Sequence, residues 1–226
     1  MKARPWTVAG ATAAIAIGAA IGGTVWRRRH RDPLSYTERF RIQIPRPLIT
    51  RGHLFELLDP RPGERILEVG PGFGYYSLAV ADRLGPKGKL DILDIQPRML
   101  RHTLHAARRL PARNLVAACG RVEALPYRDE VFDGAFLVTV LGEVNDPAAA
   151  MRELYRVIRP GGRLVVGETL ADPDWVSPQS LHRLAAAAGF RFESRTGPQL
   201  GYFSKFIRPP REELGPHYVK SAVKTP

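Results

Sequence analysis

The stretch Ile66-Leu67-Glu68-Val69-Gly70-Pro71-Gly72-Phe73-Gly74 decides the fold of this chain. Ile66, Leu67 and Val69 form a short apolar run of the kind found in strands buried on both faces, and Gly63 upstream marks the turn that feeds it. Gly70, Gly72 and Gly74 carry no Cβ, so they can adopt positive φ and let a ligand approach the main chain closely. Residues 75–84 then turn helical, with Leu78, Ala79, Ala81 and Leu84 spaced to pack on a sheet. Strand, glycine loop and helix make the opening unit of a doubly wound α/β sheet, whose crevice forms beyond the carboxyl ends of the strands.

Spacing separates this loop from a dinucleotide fingerprint. That pattern needs G-x-G-x-x-G, and Tyr75 stands where the third glycine belongs. A nicotinamide-dependent reductase is therefore disfavoured. The pattern present is E-x-G-x-G-x-G. In order behind it come Lys89-Leu90-Asp91-Ile92-Leu93-Asp94-Ile95, a second strand ending in an acid about twenty residues past the glycines, and the loop Gly120-Arg121-Val122-Glu123-Ala124-Leu125-Pro126-Tyr127. There follow Phe132-Asp133-Gly134-Ala135-Phe136-Leu137-Val138-Thr139-Val140-Leu141 and Leu154-Tyr155-Arg156-Val157-Ile158-Arg159-Pro160-Gly161-Gly162-Arg163-Leu164.

These five segments resemble the class I S-adenosylmethionine-dependent methyltransferases over about residues 62–168, nearest the branch that includes ubiquinone and menaquinone C-methyltransferases. The resemblance implies a doubly wound, seven-stranded Rossmann-like sheet with an antiparallel last strand, and S-adenosyl-L-methionine as cofactor. It assigns Gly70, Gly72 and Gly74 to the methionine half, with Glu68 ordering that end directly or through water and a main-chain group near Thr139 assisting. Asp94 accepts the ribose hydroxyls, a task that suits a two-oxygen acceptor. Ile95 packs on the adenine, and Val122 meets the adenine edge through its backbone. Glu68 has an alternative role as a structural carboxylate serving glycine-loop N–H groups. One position departs from the family: Arg121 stands where an aspartate usually accepts from the adenine amino group, and arginine has no acceptor. That bond is lost, or comes from Glu123 or a main-chain carbonyl.

On the acceptor side the candidates are Glu143, where many relatives carry histidine, and Glu168 at the end of the fifth strand. Either can orient or deprotonate an acceptor, or serve only as a helix-end or surface carboxylate. His102, His105 and His182 read as exposed helix residues. No His-Cys metal spacing and no Ser-His-Asp arrangement is present. The expected activity is methyl transfer to carbon or oxygen of a small apolar acceptor; the other reading is a noncatalytic cofactor-binding or scaffold protein, which Arg121 encourages.

Composition sets the outer limits. A chain of 226 residues, 44% hydrophobic, holds one domain of ordinary size plus an appendage. The single cysteine, Cys119, excludes an internal disulfide framework and a multi-thiol metal site, and is expected as a buried strand residue after the apolar run 115–118. The net charge of +12 does not make a nucleic-acid enzyme, because much of it is local. Residues 142–147 also lack the N-P-P-Y-type element of amino-methylating DNA enzymes.

The N-terminus is of another kind. Residues 7–25 are uncharged and rich in Ala, Gly, Ile, Val and Thr, with Trp6 and Trp26 at the ends where interfacial aromatics belong. As a helix such a stretch spans roughly 30 Å, about one hydrocarbon core. Arg27, Arg28, Arg29 and Arg31 follow, against Lys2 and Arg4 before it, so the positive-inside rule leaves the rest of the chain cytoplasmic. Gly18 and Gly22 form a G-x-x-x-G, which at this glycine content reads as coincidence. A single-pass membrane protein is expected, its oligomeric state open. The division is 1–31 anchor and basic flank, 32–60 lid or linker helices with Tyr36 and Phe40 as candidates to face the pocket, 61–208 methyltransferase domain, and 209–226 loose tail. Within the domain helices are expected at 97–109, at 147–158 behind an Asp146 cap, and at 178–188 before Gly189. Aromatic strands at 190–194 and 202–207 form a closing hairpin.

Overall fold

Alternating apolar strands and amphipathic helices can bury both faces of a sheet only by sandwiching it, and the chain does so. The computed structural model describes residues 48–111 and 113–213. In chain order these form α1 (Arg51–Leu58), β1 (Arg65–Val69), α2 (Ser77–Leu84), β2 (Lys89–Asp94), α3 (Pro97–Ala107), β3 (Leu115–Cys119) and β4 (Phe132–Val138). A 3₁₀ turn (Leu141–Glu143), α4 (Pro147–Val157), β5 (Ile158–Thr169), α5 (Pro178–Ala187), β6 (Arg191–Thr196) and β7 (Gly201–Ile207) complete them. The expected anchor at 7–25 with its Gly18 and Gly22, the 27–31 cluster, Tyr36, Phe40 and the tail beyond 213 lie outside the described residues. Among the described residues no helix is long and apolar enough to cross a membrane.

The seven strands lie in the order β3-β2-β1-β4-β5-β7-β6. β1 pairs in parallel with both β2 and β4, while β7 runs antiparallel between β5 and β6. The expected seven-stranded sheet and closing hairpin are present. Because the connection after β1 runs toward β2 and the one after β4 runs the other way toward β5, a crevice opens beyond the carboxyl ends of these two neighbouring strands.

Alternation along the strands divides the core. Leu67, Val69, Leu137, Leu164 and Val166 face α4 and α5, whereas Ile66, Leu90, Ile92, Phe136 and Val165 face α1, α2 and α3. By the same period of two, Glu68 and Asp94 belong to the second face. Asp146 caps α4 by accepting from the Ala149 N–H, and Ser177 caps α5 the same way from Ser180. α1, within the segment expected as lid or linker helices, packs into the core: Leu54 and Leu58 are fully buried and the Tyr76 hydroxyl donates to Ile49 O.

Three local expectations are corrected. α2 begins at Ser77, and its packed face is Ser77, Val80, Ala81 and Leu84, because the chain from Gly74 first turns through Tyr75 and Tyr76. Leu78 and Ala79 are only half buried. Cys119 ends a strand as expected but is exposed, because β3 is the sheet edge and has a neighbour on one side only. His182 is not an exposed helix residue: it is partly buried, its ring lies against Phe192 and Phe206, and it shares a hydrogen bond with Ser204 Oγ.

At the amino end of the strands, ion pairs tie the sheet together. Arg163 of β5 holds Glu64 in a fork, Nη1–Oε1 2.9 Å and Nη2–Oε2 2.6 Å, and also donates to the carbonyls of Leu58 and Asp59. Burial by itself would raise the Glu64 carboxyl, but Arg163 and the Arg61 N–H outweigh it and hold it below its ordinary value. Removing one partner of such a pair leaves the other charge without compensation. Arg163→Ala is expected to destabilise the fold by about 3–5 kcal/mol in urea denaturation, and the double change with Glu64→Leu to recover much of that loss.

Candidate functional site

A cleft of about 780 Å³ lies beyond the carboxyl ends of β1, β2 and β4. Its floor is the loop from Gly70 to Gly74, its far wall Asp94 and Ile95, and its near wall Val138, Thr139, Val140 and Glu143. Gly70, Gly72 and Gly74 all sit at positive φ, +68°, +54° and +78°. A Cβ at Gly70 would meet Val140 Cγ2 at 2.4 Å, so at this point the main chain itself is the wall. The loop is also tethered from below. Gly70 N–H donates to Leu93 O at 2.8 Å, Gly74 N–H to Pro71 O at 2.9 Å, and the Thr103 hydroxyl of α3 to Gly72 O at 3.0 Å. Thr103 was not among the sequence candidates; it is a polar residue on the buried face of an amphipathic helix, and that placement is its signal.

Glu68 is 2% exposed and lines the cleft, and its Oε2 has no hydrogen-bond partner among the described residues. The alternative structural role is weakened, since the Gly70 and Gly74 amides are committed elsewhere. Desolvation pushes the Glu68 carboxyl up to about 8; the nearby Ser77 hydroxyl opposes this and the Asp94 charge adds to it. Asp94 is also raised, by desolvation first, against the Gln96 and Ile95 amides that favour its charged form. Its Oδ1 accepts from Gln96 N–H at 2.8 Å, which aims the carboxylate along the cleft and leaves acceptor capacity on Oδ2. Ile95 stays exposed beside it as an apolar shelf, with Met99 and Val122 buried behind.

Every residue assigned to the cofactor lines this one cleft: Glu68, Gly70, Gly72, Gly74, Asp94, Ile95, Val122 and Thr139. Thr139 holds φ at +54°, unusual for a β-branched residue, and its amide is spent on Gly167 O at 2.8 Å. The guanidinium of Arg121, the position read as departing from the family pattern, pairs with Glu123 at 2.7 Å. Glu123 and Arg121 both line the cleft as a pair. Phe73, Tyr75, Thr50 and Arg51 also line the cleft without having been expected there. Arg51 lies over the Tyr75 ring, 4.1 Å from its centroid.

The two acceptor-side candidates separate. Glu143, on the 3₁₀ turn after β4, is half buried and reaches the cleft. Glu168 does not line it: it shares the face of Leu164 and Val166 and is 1% exposed under the loop that leads to α5. There its Oε2 accepts a long bond from Val176 N–H at 3.4 Å. Desolvation raises Glu168 well above the carboxylate range, with Glu143 and the loop acids Asp172 and Asp174 adding to it. The strand end was read correctly, but its parity sends this side chain to the other side of the sheet. Among the described residues no group of acids, histidines and cysteine can hold a metal ion.

Residues 67–166 match the model of a family described as a methyltransferase domain. The chain is 33% identical over 168 residues to a ubiquinone/menaquinone biosynthesis C-methyltransferase of Xylella fastidiosa, covering 68% of this chain and 63% of that protein. It is 34% identical over 162 residues to an uncharacterized 37.1 kDa transposon protein of Streptomyces fradiae, covering 70% of this chain and 44% of that protein. The chain therefore spans 63% and 44% of the length of these two relatives. Among solved structures, a SAM dependent methyltransferase from Aquifex aeolicus superposes with a TM-score of 0.70 at 18% identity, over 77% of this chain and 99% of that one. That likeness is one of fold.

Glu68 provides a pH test. Its folded pKa lies above its ordinary 4.5, so the folded state holds a proton the unfolded state has lost, and stability without ligand should fall as pH rises from about 4.5 toward about 8. Glu68→Gln is expected to flatten that fall in urea denaturation at stepped pH; an unchanged slope would place the proton elsewhere. Gly70→Ala, which meets both the positive φ and Val140, is expected to abolish cofactor binding in calorimetry.

Proposed function

The chain belongs to the class I S-adenosylmethionine-dependent methyltransferases, and from that premise we propose that it methylates carbon or oxygen of a small, apolar acceptor met at a membrane surface. The observation that carries the reading is a buried carboxylate with an unpartnered oxygen, Glu68 Oε2, facing a glycine-lined cleft across from Asp94.

The residues suit the cofactor at each of its parts. Burial favours the protonated form of Glu68 against the Ser77 hydroxyl, and an ammonium group at that end of the cleft would draw the proton off and supply a partner for Oε2. The glycine loop leaves space for a chain of atoms against the backbone. Asp94 can accept from two hydroxyls, and Ile95 with Val122 offers an apolar slot for a planar base. When bound, S-adenosylmethionine supplies a methyl group already electrophilic on a sulfonium. The protein's share is alignment and exclusion of water, which can provide much of the acceleration. Glu143 stands where an acceptor would enter, and its carboxylate would orient that acceptor or take its proton.

Apolarity of the acceptor is supported by the cleft wall of Tyr75, Val138 and Val140, and by the quinone named for the Xylella relative. The membrane setting is supported by residues 7–25 and the arginines after them, which by the positive-inside rule put the domain on the cytoplasmic side. The test is transfer of labelled methyl from S-adenosylmethionine into a membrane lipid extract by the full chain. Product confined to a water-soluble extract would remove the apolar acceptor, and cofactor binding without turnover on either extract would make the chain a noncatalytic binder. Asp94→Ala is expected to weaken cofactor binding by about 1.5–3 kcal/mol in calorimetry.

A further inference from the structure

Seven large hydrophobic side chains are conspicuously exposed among the described residues, and five of them, Leu48, Tyr75, Ile95, Leu170 and Leu200, lie at one end of the domain. It is the end into which the cleft opens. Tyr75 and Ile95 follow β1 and β2 and line the cleft itself. Leu170 follows β5, and its N–H donates to Leu200 O at 2.8 Å, so these two leucines stand together. Leu48 lies against Gly201, the residue after Leu200, where even a Cβ would touch it. The five are 37% to 54% exposed. Clustering of apolar surface at one pole marks an interaction site more often than scattered leucines do.

The opposite pole has the contrary character. There the pairs Arg163–Glu64, Arg65–Asp91, Arg159–Asp133, Arg208–Glu130 and Arg156–Glu153 close the amino ends of the strands in contacts of 2.8 Å or less. The domain is thus polarised along the strand direction, apolar at the cleft and ionic at the base.

We propose that the cleft end is the surface that docks on a lipid bilayer, so that the mouth of the site opens onto the membrane and an apolar acceptor passes into it without crossing water. The proposal rests on the reading of the chain as a membrane-anchored methyltransferase and specifies how the domain is turned. Bilayer is the occupant because of where the chain enters: residues 7–25 are the apolar stretch, and Leu48, where the described structure begins, belongs to the apolar pole. The connecting residues 26–47 reach at most roughly 75 Å, and they join the domain at the apolar pole, so the anchor's attachment point is on this side. Arg27, Arg28, Arg29 and Arg31 complement anionic headgroups, and Arg51 on Tyr75 adds a cation and an aromatic at the rim, the pair of residue types that settles at a headgroup boundary.

The test uses the full chain with Cys119→Ser, carrying one new cysteine, Leu200→Cys at the apolar pole or Lys87→Cys at the base, each labelled with an environment-sensitive fluorophore. The protein is reconstituted in phosphatidylcholine and phosphatidylglycerol vesicles containing lipids with a headgroup nitroxide. The label at 200 is expected to lose most of its emission and the label at 87 to keep it. Equal quenching at both positions, or none at 200, overturns the proposal. A label at 200 shielded from aqueous iodide before any lipid is added also overturns it, since the leading segment or a second copy then covers the pole. Calorimetry with S-adenosylmethionine on the same preparations reads the methyltransferase assignment separately: lost cofactor binding with intact quenching removes the function and leaves the orientation.

Discussion

The structure depends on β1 being paired in parallel on both sides, with β2 and with β4. A strand so placed has no free edge, so its backbone groups are satisfied by neighbours and its side chains are sealed between helical layers. The connection after β1 runs to β2 and the one after its neighbour β4 runs the other way to β5, and the gap between them cannot be filled by sheet. Everything at the cleft follows from this constraint. The chain has to turn sharply out of β1, glycines make the turn possible, and Glu68, the penultimate residue of the strand, is carried into a site where its charge is unwelcome without a partner.

That burial connects fold to chemistry. A carboxylate held out of water without compensation keeps its proton, and its ionisation becomes favourable when a cation arrives. Stability of the empty domain and affinity for a cationic ligand are thus opposed at one residue. Thr103 and the Leu93 carbonyl hold the loop in place from the layer beneath. The cleft floor is consequently rigid before any ligand reaches it, which reduces the ordering that binding must impose.

The cofactor side of the site was legible because its residues are consecutive or sit at strand ends, where a one-dimensional pattern maps directly onto position. Glu68, Asp94 and the glycines come together as the motif spacing requires. Residues whose place depends on which strand neighbours which were not legible. Cys119 follows an apolar run as a buried residue would, yet its strand is the edge. His182 has helical surroundings in the sequence, but β6 and β7 bring Phe192 and Phe206 to it from far along the chain. Glu168 ends its strand on the face of Leu164 and Val166 and does not line the cleft.

From residues alone come the doubly wound sheet, the strand-loop-helix unit and the placement of Glu68 and Asp94 near strand ends, because local period and glycine placement encode them within a few residues. Only the tertiary structure decided that Glu143 and not Glu168 lines the cleft, since parity along β5 has meaning only once the helices have chosen their faces. It alone also gathered Leu48, Tyr75, Ile95, Leu170 and Leu200, scattered over 150 positions, at one pole opposite the ion pairs. No periodicity in the sequence records that grouping, because it arises from strand direction, and strand direction is set by pairing between segments distant in the chain.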